Sequence, residues 1–301
     1  MSSIAITSTE TLASPPPPAL RGKAEQEDLE LSCVIRQQPI SVTLDGKTIF
    51  LSSLVVVLLI HFLDSYHAEV LVALLPVVLL VHNDFQNFLN LGPGGTPSTF
   101  GGYLRISWFR LWALRNPFAA PEPDPMRLPT SGILRRQRLP YRAGPRPVVA
   151  GIAPQRQLDQ HGSKESYRAL RWSMAKLANR NPKKFGTEKS CVEKHGLALF
   201  ARHPVQTNCQ GEICHVHDSD HSLHMSLHPE DIKEVLQKGW GQRHPLAWRS
   251  RFLKSPVSPD FVMVYAPRDD EELQVICTII EAAIWYTVAE ELEMGIYPKP
   301  M

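Results

Sequence analysis

What the chain lacks narrows its chemistry first. It contains no glycine-rich phosphate loop, no dinucleotide fingerprint and no serine nucleophile elbow. Nucleotide-dependent transfer and triad hydrolysis therefore have no sequence support. Net charge is only +2, which gives no general pull toward nucleic acid. The cysteines at 33, 191, 209, 214 and 277 are odd in number and irregularly spaced, so a disulfide framework is not expected. Reduced thiols and a cytosol-facing domain follow. The N-terminus does not lead from a basic segment straight into an apolar core, so a cleavable signal peptide is not expected. No internal repeat occurs. Lysine is missing between Lys47 and Lys164, whereas nine arginines lie between Arg105 and Arg146 against Glu122 and Asp124. Such a stretch reads as a solvated face or, beside a membrane segment, as a contact for anionic headgroups.

The 301 residues, 43% of them hydrophobic, suffice for one sizeable domain with additional elements. Residues 1–48 carry Pro15–Pro18 and the acidic Glu25–Glu30 and read as a disordered tail, with Ile40–Phe50 as a possible extended piece. Residues 49–82 form a membrane-anchoring region. Ile49–Leu63 is apolar apart from Ser52, Ser53 and His61, and Val70–Val81 is apolar with Pro76 inside it. A spanning helix needs roughly 20 apolar residues, so either one span or a hairpin of two helices is expected. The arginine excess that follows predicts a cytoplasmic C-terminal domain and contact with membrane lipid. Residues 83–147 form an irregular, Arg/Pro-rich juxtamembrane connector, in which Asn83–Leu89 begins a short helix, Tyr103–Leu114 lies at an interface and six prolines between 117 and 140 enforce extension.

Residues 148–301 read as α+β: a small antiparallel sheet packed with helices, preceded by the N-terminal transmembrane helix or hairpin. Strands are expected at Val148–Ala153, Gly196–Ala201, Gly211–His217, Ser222–His228 and Phe261–Ala266. Lys164–Arg180 has helical apolar spacing and stops at Asn181-Pro182. Pro229 starts a helix that ends before Gly239. Asp269 and Asp270 open a long one with the stripe Leu273, Ile276, Ile280, Ile284 and Val288.

The stretch Cys214–Leu246 holds His215, His217, His221, His224, His228 and His244. Strand alternation puts His215 and His217 on one face and His224 and His228 on one face of the next strand, opposite Leu223, Met225 and Leu227. Three uses fit this pattern. His215 and His217 can bind a metal, with Asp218, His224 or Glu212 as a third ligand. The histidines can instead move protons without metal, since imidazole titrates near neutral pH. Or they are structural, on a solvated strand face. The following run Gly239-Trp240-Gly241-Gln242-Arg243-His244-Pro245 offers Trp240 for stacking on a ring or plugging the core, and Arg243 for an anion or for an acidic side chain.

Four blocks resemble fungal luciferase and the luciferase-like domain of non-luminous fungi. They are Asp84-Phe85-Gln86-x-Phe88-Leu89-x-Leu91-Gly92-Pro93 with Phe100-x-Gly102-Tyr103; His215-Val216-His217-Asp218; Leu223-His224 continuing through Glu234 to Ala247; and Tyr265-Ala266-Pro267-Arg268. The resemblance implies a membrane-anchored enzyme that adds O2 to 3-hydroxyhispidin or a related aromatic or polyketide-like enol. An endoperoxide forms, CO2 leaves and caffeylpyruvate results, with O2 as co-substrate and no metal or flavin. On that analogy His215, His217, His224, Arg243 and His244 are catalytic, with His215 or His217 taking the enol proton and Arg243 and His244 holding the oxyanion. Asp218, Trp240, Gln242, Tyr265 and Arg268 form the substrate wall. The loop from His217 to His224 is a residue shorter than in the luminous pattern and the tail is longer, so the substrate can differ. A metal-dependent enzyme on His215 and His217 and a non-catalytic membrane-held binding module are the alternatives. No nucleic acid is expected as a partner.

Overall fold

The computed structural model describes residues 46–62, 66–206, 209–249 and 255–295. The expected disordered tail lies outside these, apart from its last residues. Two compact units divide the chain: one ends at Gly92 and takes in Ser98–Tyr103, and the other comprises Pro93–Pro97 and everything from Leu104 onward.

The first unit is built on two helices, α1 (Gly46–His61) and α2 (Tyr66–Asn90). They pack against each other, and His61 Nδ1 lies 2.9 Å from Glu69 Oε1. Gly46–Phe50, placed in an extended piece by sequence, begins α1 because the apolar run propagates the helix backward. Likewise Asn83–Leu89 starts no new helix but continues α2. At 25 residues and a mean hydropathy of 1.7, α2 is long and apolar enough to cross a bilayer. None of its apolar window is buried: Leu71, Leu74, Leu75, Val77 and Val78 all face outward. At its polar end it also meets Tyr103, where Phe88 is buried beside that ring and the Tyr103 hydroxyl donates to Asp84 at 2.9 Å.

In the second unit the α+β expectation holds. A six-stranded antiparallel sheet has the order β3–β4–β5–β6–β8–β7. Its strands are β3 (Phe185–Lys189), β4 (Leu197–Ala201), β5 (Glu212–Val216), β6 (Leu223–Ser226), β7 (Gly241–Arg243) and β8 (Phe261–Val264). A separate hairpin pairs β1 (Val149–Gly151) with β2 (Gln155–Gln157). The helices are α3 (Phe100–Arg110, shared with the first unit), α4 (Leu134–Gln137), α5 (Lys164–Arg180), α6 (Pro229–Gln237) and α7 (Asp270–Val288). Local signals set the helix ends. Ser163 Oγ accepts from Ser166 N at 2.9 Å, and Asp269 Oδ1 accepts from Glu272 N at 2.8 Å. Pro229 opens α6 behind His228, whose ring accepts from Glu230 N.

Helix α7 lies on β4, β5 and β6, and α5 on β3 and β4. The stripe Leu273, Ile276, Ile280 and Ile284 is buried with Cys214, Val216, Leu223, Met225 and Val264 from the sheet. Each such buried side chain is worth about 1.5–3 kcal/mol. Residues 111–133, the proline-rich connector, form neither helix nor strand but are bonded along the second unit. Leu114 N donates to Pro245 O, Arg243 N to Pro117 O and Gln206 Nε2 to Leu128 O.

Candidate functional site

Pairing of β5 with β6 places His215 directly opposite His224, with Cys214 opposite Met225 on the apolar face. The β4–β5 ladder shifts between Leu199 and Phe200, which leaves Ile213 unpaired. That bulge turns Glu212, an odd number of residues from His215, onto the histidine face. Glu212 Oε1 lies 2.5 Å from His215 Nδ1, and the same carboxylate accepts from Ser190 Oγ and Cys191 N.

The outer nitrogen of each histidine is thus accounted for. His217 Nδ1 meets Ser222 Oγ at 2.9 Å, and that hydroxyl donates onward to Asp220. His224 Nε2 meets Gln155 Oε1 at 2.9 Å. The inner nitrogens converge: His217 Nε2 is 3.0 Å from His224 Nδ1, which is 3.3 Å from His215 Nε2. Glu193 completes the cluster, its ligating oxygen and the three imidazole nitrogens lying within 4.8 Å of one another. All four side chains are buried.

Burial holds the His224 imidazole well below its ordinary pKa, with His217, His215 and His244 adding to the effect. His217 is lowered too, first by burial and then by Arg156, against the pull of Asp220. Burial would raise the Glu193 carboxyl, but Arg156, His217 and His215 outweigh it and keep it below its usual range. The depressed imidazoles of His217 and His224 beside the Glu193 carboxylate make an end that favours a cation.

One side of this cluster opens onto a cavity of about 350 Å³. Its apolar wall is Ile106, Phe109, Ile152, Leu246, Val257 and Phe261; its polar groups are Thr96, Arg105, Gln155, Glu193, His224 and His244. Phe261 stacks on His224 at 5.2 Å. His244 is a wall rather than a free base: Nδ1 accepts from Leu246 N at 3.1 Å, the Ile152 backbone binds the ring, and burial lowers its pKa to about 4. Cys191 and Cys209 also line the cavity. They correct the expectation of free thiols, since their Cα atoms are 6.1 Å apart and a disulfide joins them. Cys214 and Cys277 are free and buried.

The other sequence-predicted residues do not line this cavity, and each has a partner that explains why. Trp240 is buried with Nε1 donating to Pro140 O at 2.7 Å. The Arg243 guanidinium bonds the carbonyls of Ala119, Ala247 and Pro259. Tyr265 donates to Gln242 Oε1 at 3.1 Å, under the guanidinium of Arg142. Arg268 pairs with Glu272, and Asp218 accepts from the Tyr167 hydroxyl. His221 stacks on Tyr167, away from the cluster. Sequence reasoning missed Glu193, Gln155 and Arg156. A run of three polar residues in β2, all buried, is the one hint they leave.

A family model described as the luciferase domain matches residues 210–283, from the start of β5 into α7. A luciferase of Neonothopanus nambi is 32% identical over 225 residues, covering 69% of this chain and 81% of that protein. Luciferases of Armillaria ostoyae and Armillaria mellea are each 34% identical over 224 residues, with 68% and 81% covered. No solved structure matches the chain.

Proposed function

The chain belongs to the fungal luciferase-like family, and on that premise we propose that it is an oxygenase that takes a small, planar, hydroxylated pyrone or related aromatic enol into the cavity beside His224. One observation carries the reading: a buried cluster of three histidines and Glu193 opens onto a cavity of about 350 Å³ with an apolar wall. That volume lies within the range of small-molecule sites, and its wall suits a flat ring between Phe261 and the Ile106–Phe109 side.

The ring enters with its enol oxygen toward Glu193 and His224. Imidazole lone pairs and a carboxylate at that end favour loss of the enol proton. The resulting enolate is electron-rich and adds O2 at ring carbon. Closure to an endoperoxide and release of CO2 leave a ring-opened keto acid, as the resemblance implies. Arg105, exposed on the cavity rim, faces an anionic or phenolic substituent at the far end.

We further propose that α2, with α1 beside it, anchors the protein in a membrane. The exposed apolar surface of α2 and the arginine excess after residue 100 support this. Pelleting that resists carbonate extraction should vanish when residues 49–82 are deleted. The activity test is oxygen uptake with a panel of hydroxypyrones, 3-hydroxyhispidin among them. We expect one O2 consumed per CO2 released for at least one member. A panel neither consumed nor bound would overturn the reading.

A further inference from the structure

Three imidazoles and one carboxylate turn their inner atoms toward one another in the second unit. The proton positions follow from the outer partners. Glu212, ionised and acceptor-only, requires a proton on His215 Nδ1. Ser222 Oγ gives its own hydrogen to Asp220, so it accepts from His217 Nδ1. The Gln155 carbonyl accepts from His224 Nε2. In the neutral rings this leaves lone pairs on His215 Nε2, His217 Nε2 and His224 Nδ1. These are the nitrogens that lie 3.0 and 3.3 Å apart. Lone pairs at that separation repel unless a positive centre sits among them.

We propose that Glu193, His215, His217 and His224 are the ligands of a divalent first-row transition-metal ion. Metal-binding histidines characteristically give their second ring N–H to a carboxylate, carbonyl or hydroxyl, and all three do so here. The ligand atoms span 4.8 Å at most, against about 4.2 Å across an ion bound at about 2.1 Å, so a shift of well under about 1 Å, the difference between those spans, closes the set. Arg156 holds Glu193 in place from the outside, and its guanidinium also donates to Pro93 O. The chain leaves no room for anything else here. A Cβ on Gly94 would fall 2.0 Å from a Glu193 oxygen. Imidazole and carboxylate without thiolate suit iron(II), manganese, cobalt or zinc rather than copper(I), since Cys214 lies on the opposite face of β5.

The site is not closed on all sides, because Glu193 and His224 also line the cavity. A position open to substrate marks a catalytic rather than a structural ion. Only this role of the open side rests on the proposed function; the ligand set rests on geometry alone. The ion would bind the enol oxygen directly and so fix the ring beside Phe261.

The test uses the full-length protein, purified in detergent without chelator and with a tag free of histidine. Elemental analysis and titration with cobalt(II), read by visible absorption, report binding independently of activity. We expect one metal equivalent per chain, a cobalt(II) ligand-field spectrum, and at least a tenfold loss of affinity in Glu193→Gln. That variant is nearly isosteric, so retained circular dichroism separates lost ligation from lost folding, and Gly94→Ala is a second probe from outside the ligand set. Folded wild-type protein that holds no metal and gives no cobalt(II) spectrum would overturn the inference, and turnover of the pyrone panel after chelation would then point to metal-free proton transfer. Metal bound with no pyrone consumed would uphold the ion and sink the proposed substrate instead.

Discussion

Two regions of the second unit looked alike in sequence and differ in what their polar groups do. The histidine face of β5 and β6 and the run Gly239–Pro245 are both rich in imidazole, guanidinium and aromatic side chains. On the histidine face the outer nitrogens are bonded and the inner ones converge on an open cavity. In the Gly239–Pro245 run the polar groups are tied to backbone: Trp240 to Pro140, Arg243 to three carbonyls, His244 to Leu246. Density of reactive residue types therefore does not identify a site. What identifies it is which atoms remain uncommitted after folding, and toward what space they point.

The sharpest way to break this contrast is to remove one group from each region. His217→Gln should lower oxygen uptake per folded molecule by about 10²-fold or more, the usual scale for losing an acid–base or positioning group. Arg243→Ala should act on stability instead. It strips the carbonyls of Ala119, Ala247 and Pro259 of their donor and should cost about 3 kcal/mol, a fall of roughly 6–12 °C in Tm. Uptake per folded molecule should stay within about twofold. Reversed effects, with activity lost at Arg243 and stability alone at His217, would undo the assignment.

A titration sharpens the comparison further. Burial depresses His244 from the usual 6.5 to about 4. A depressed folded pKa means the unfolded chain binds the proton first as pH falls. The contribution is therefore whole above pH 6.5 and is lost between 6.5 and 4, by about 3 kcal/mol in all. Chemical denaturation at pH 7, 5.5 and 4 should show a loss of at least that size, and His244→Gln should reduce it by about 3 kcal/mol, the share of the other buried histidines remaining. The smallest effect expected is that of Tyr265→Phe: about 1 kcal/mol for the bond to Gln242, with uptake unaltered.

The elements that sequence revealed were those with local signals. Asn181-Pro182 at the end of α5, Asp269 at the start of α7, Pro229 at the first turn of α6 and the apolar stripe of α7 need no distant partner to be read. The histidine face was legible for the same reason, since strand alternation separates His215, His217 and His224 from Cys214, Val216, Leu223 and Met225. The partners that turn that face into a site were not. Glu193 lies in a turn, and Gln155 and Arg156 sit in a three-residue strand with no apolar alternation. They reach the cluster from 22 to 69 residues away, through tertiary contacts that no period encodes. Glu212 was read from sequence as one option for a third metal ligand; the bulge at Ile213 brings it onto the histidine face, where it instead holds His215 Nδ1 from the outside. Trp240, Arg243 and Tyr265 misled because their tethers, Pro140, Ala119 and Gln242 among them, are also set by the fold and not by neighbours in sequence.

The central claim concerns place: chemistry occurs against β5 and β6, with His244 as a wall of the cavity, and not against Trp240, Arg243, Tyr265 or Arg268. A structure of the full-length protein with a slowly reacting hydroxypyrone bound tests it most directly. The account predicts the ring between Phe261 and Ile106, with its enol oxygen at Glu193 and His224. A ring stacked on Trp240 or held by Tyr265 and Arg268, with the cavity beside His224 empty, would contradict it.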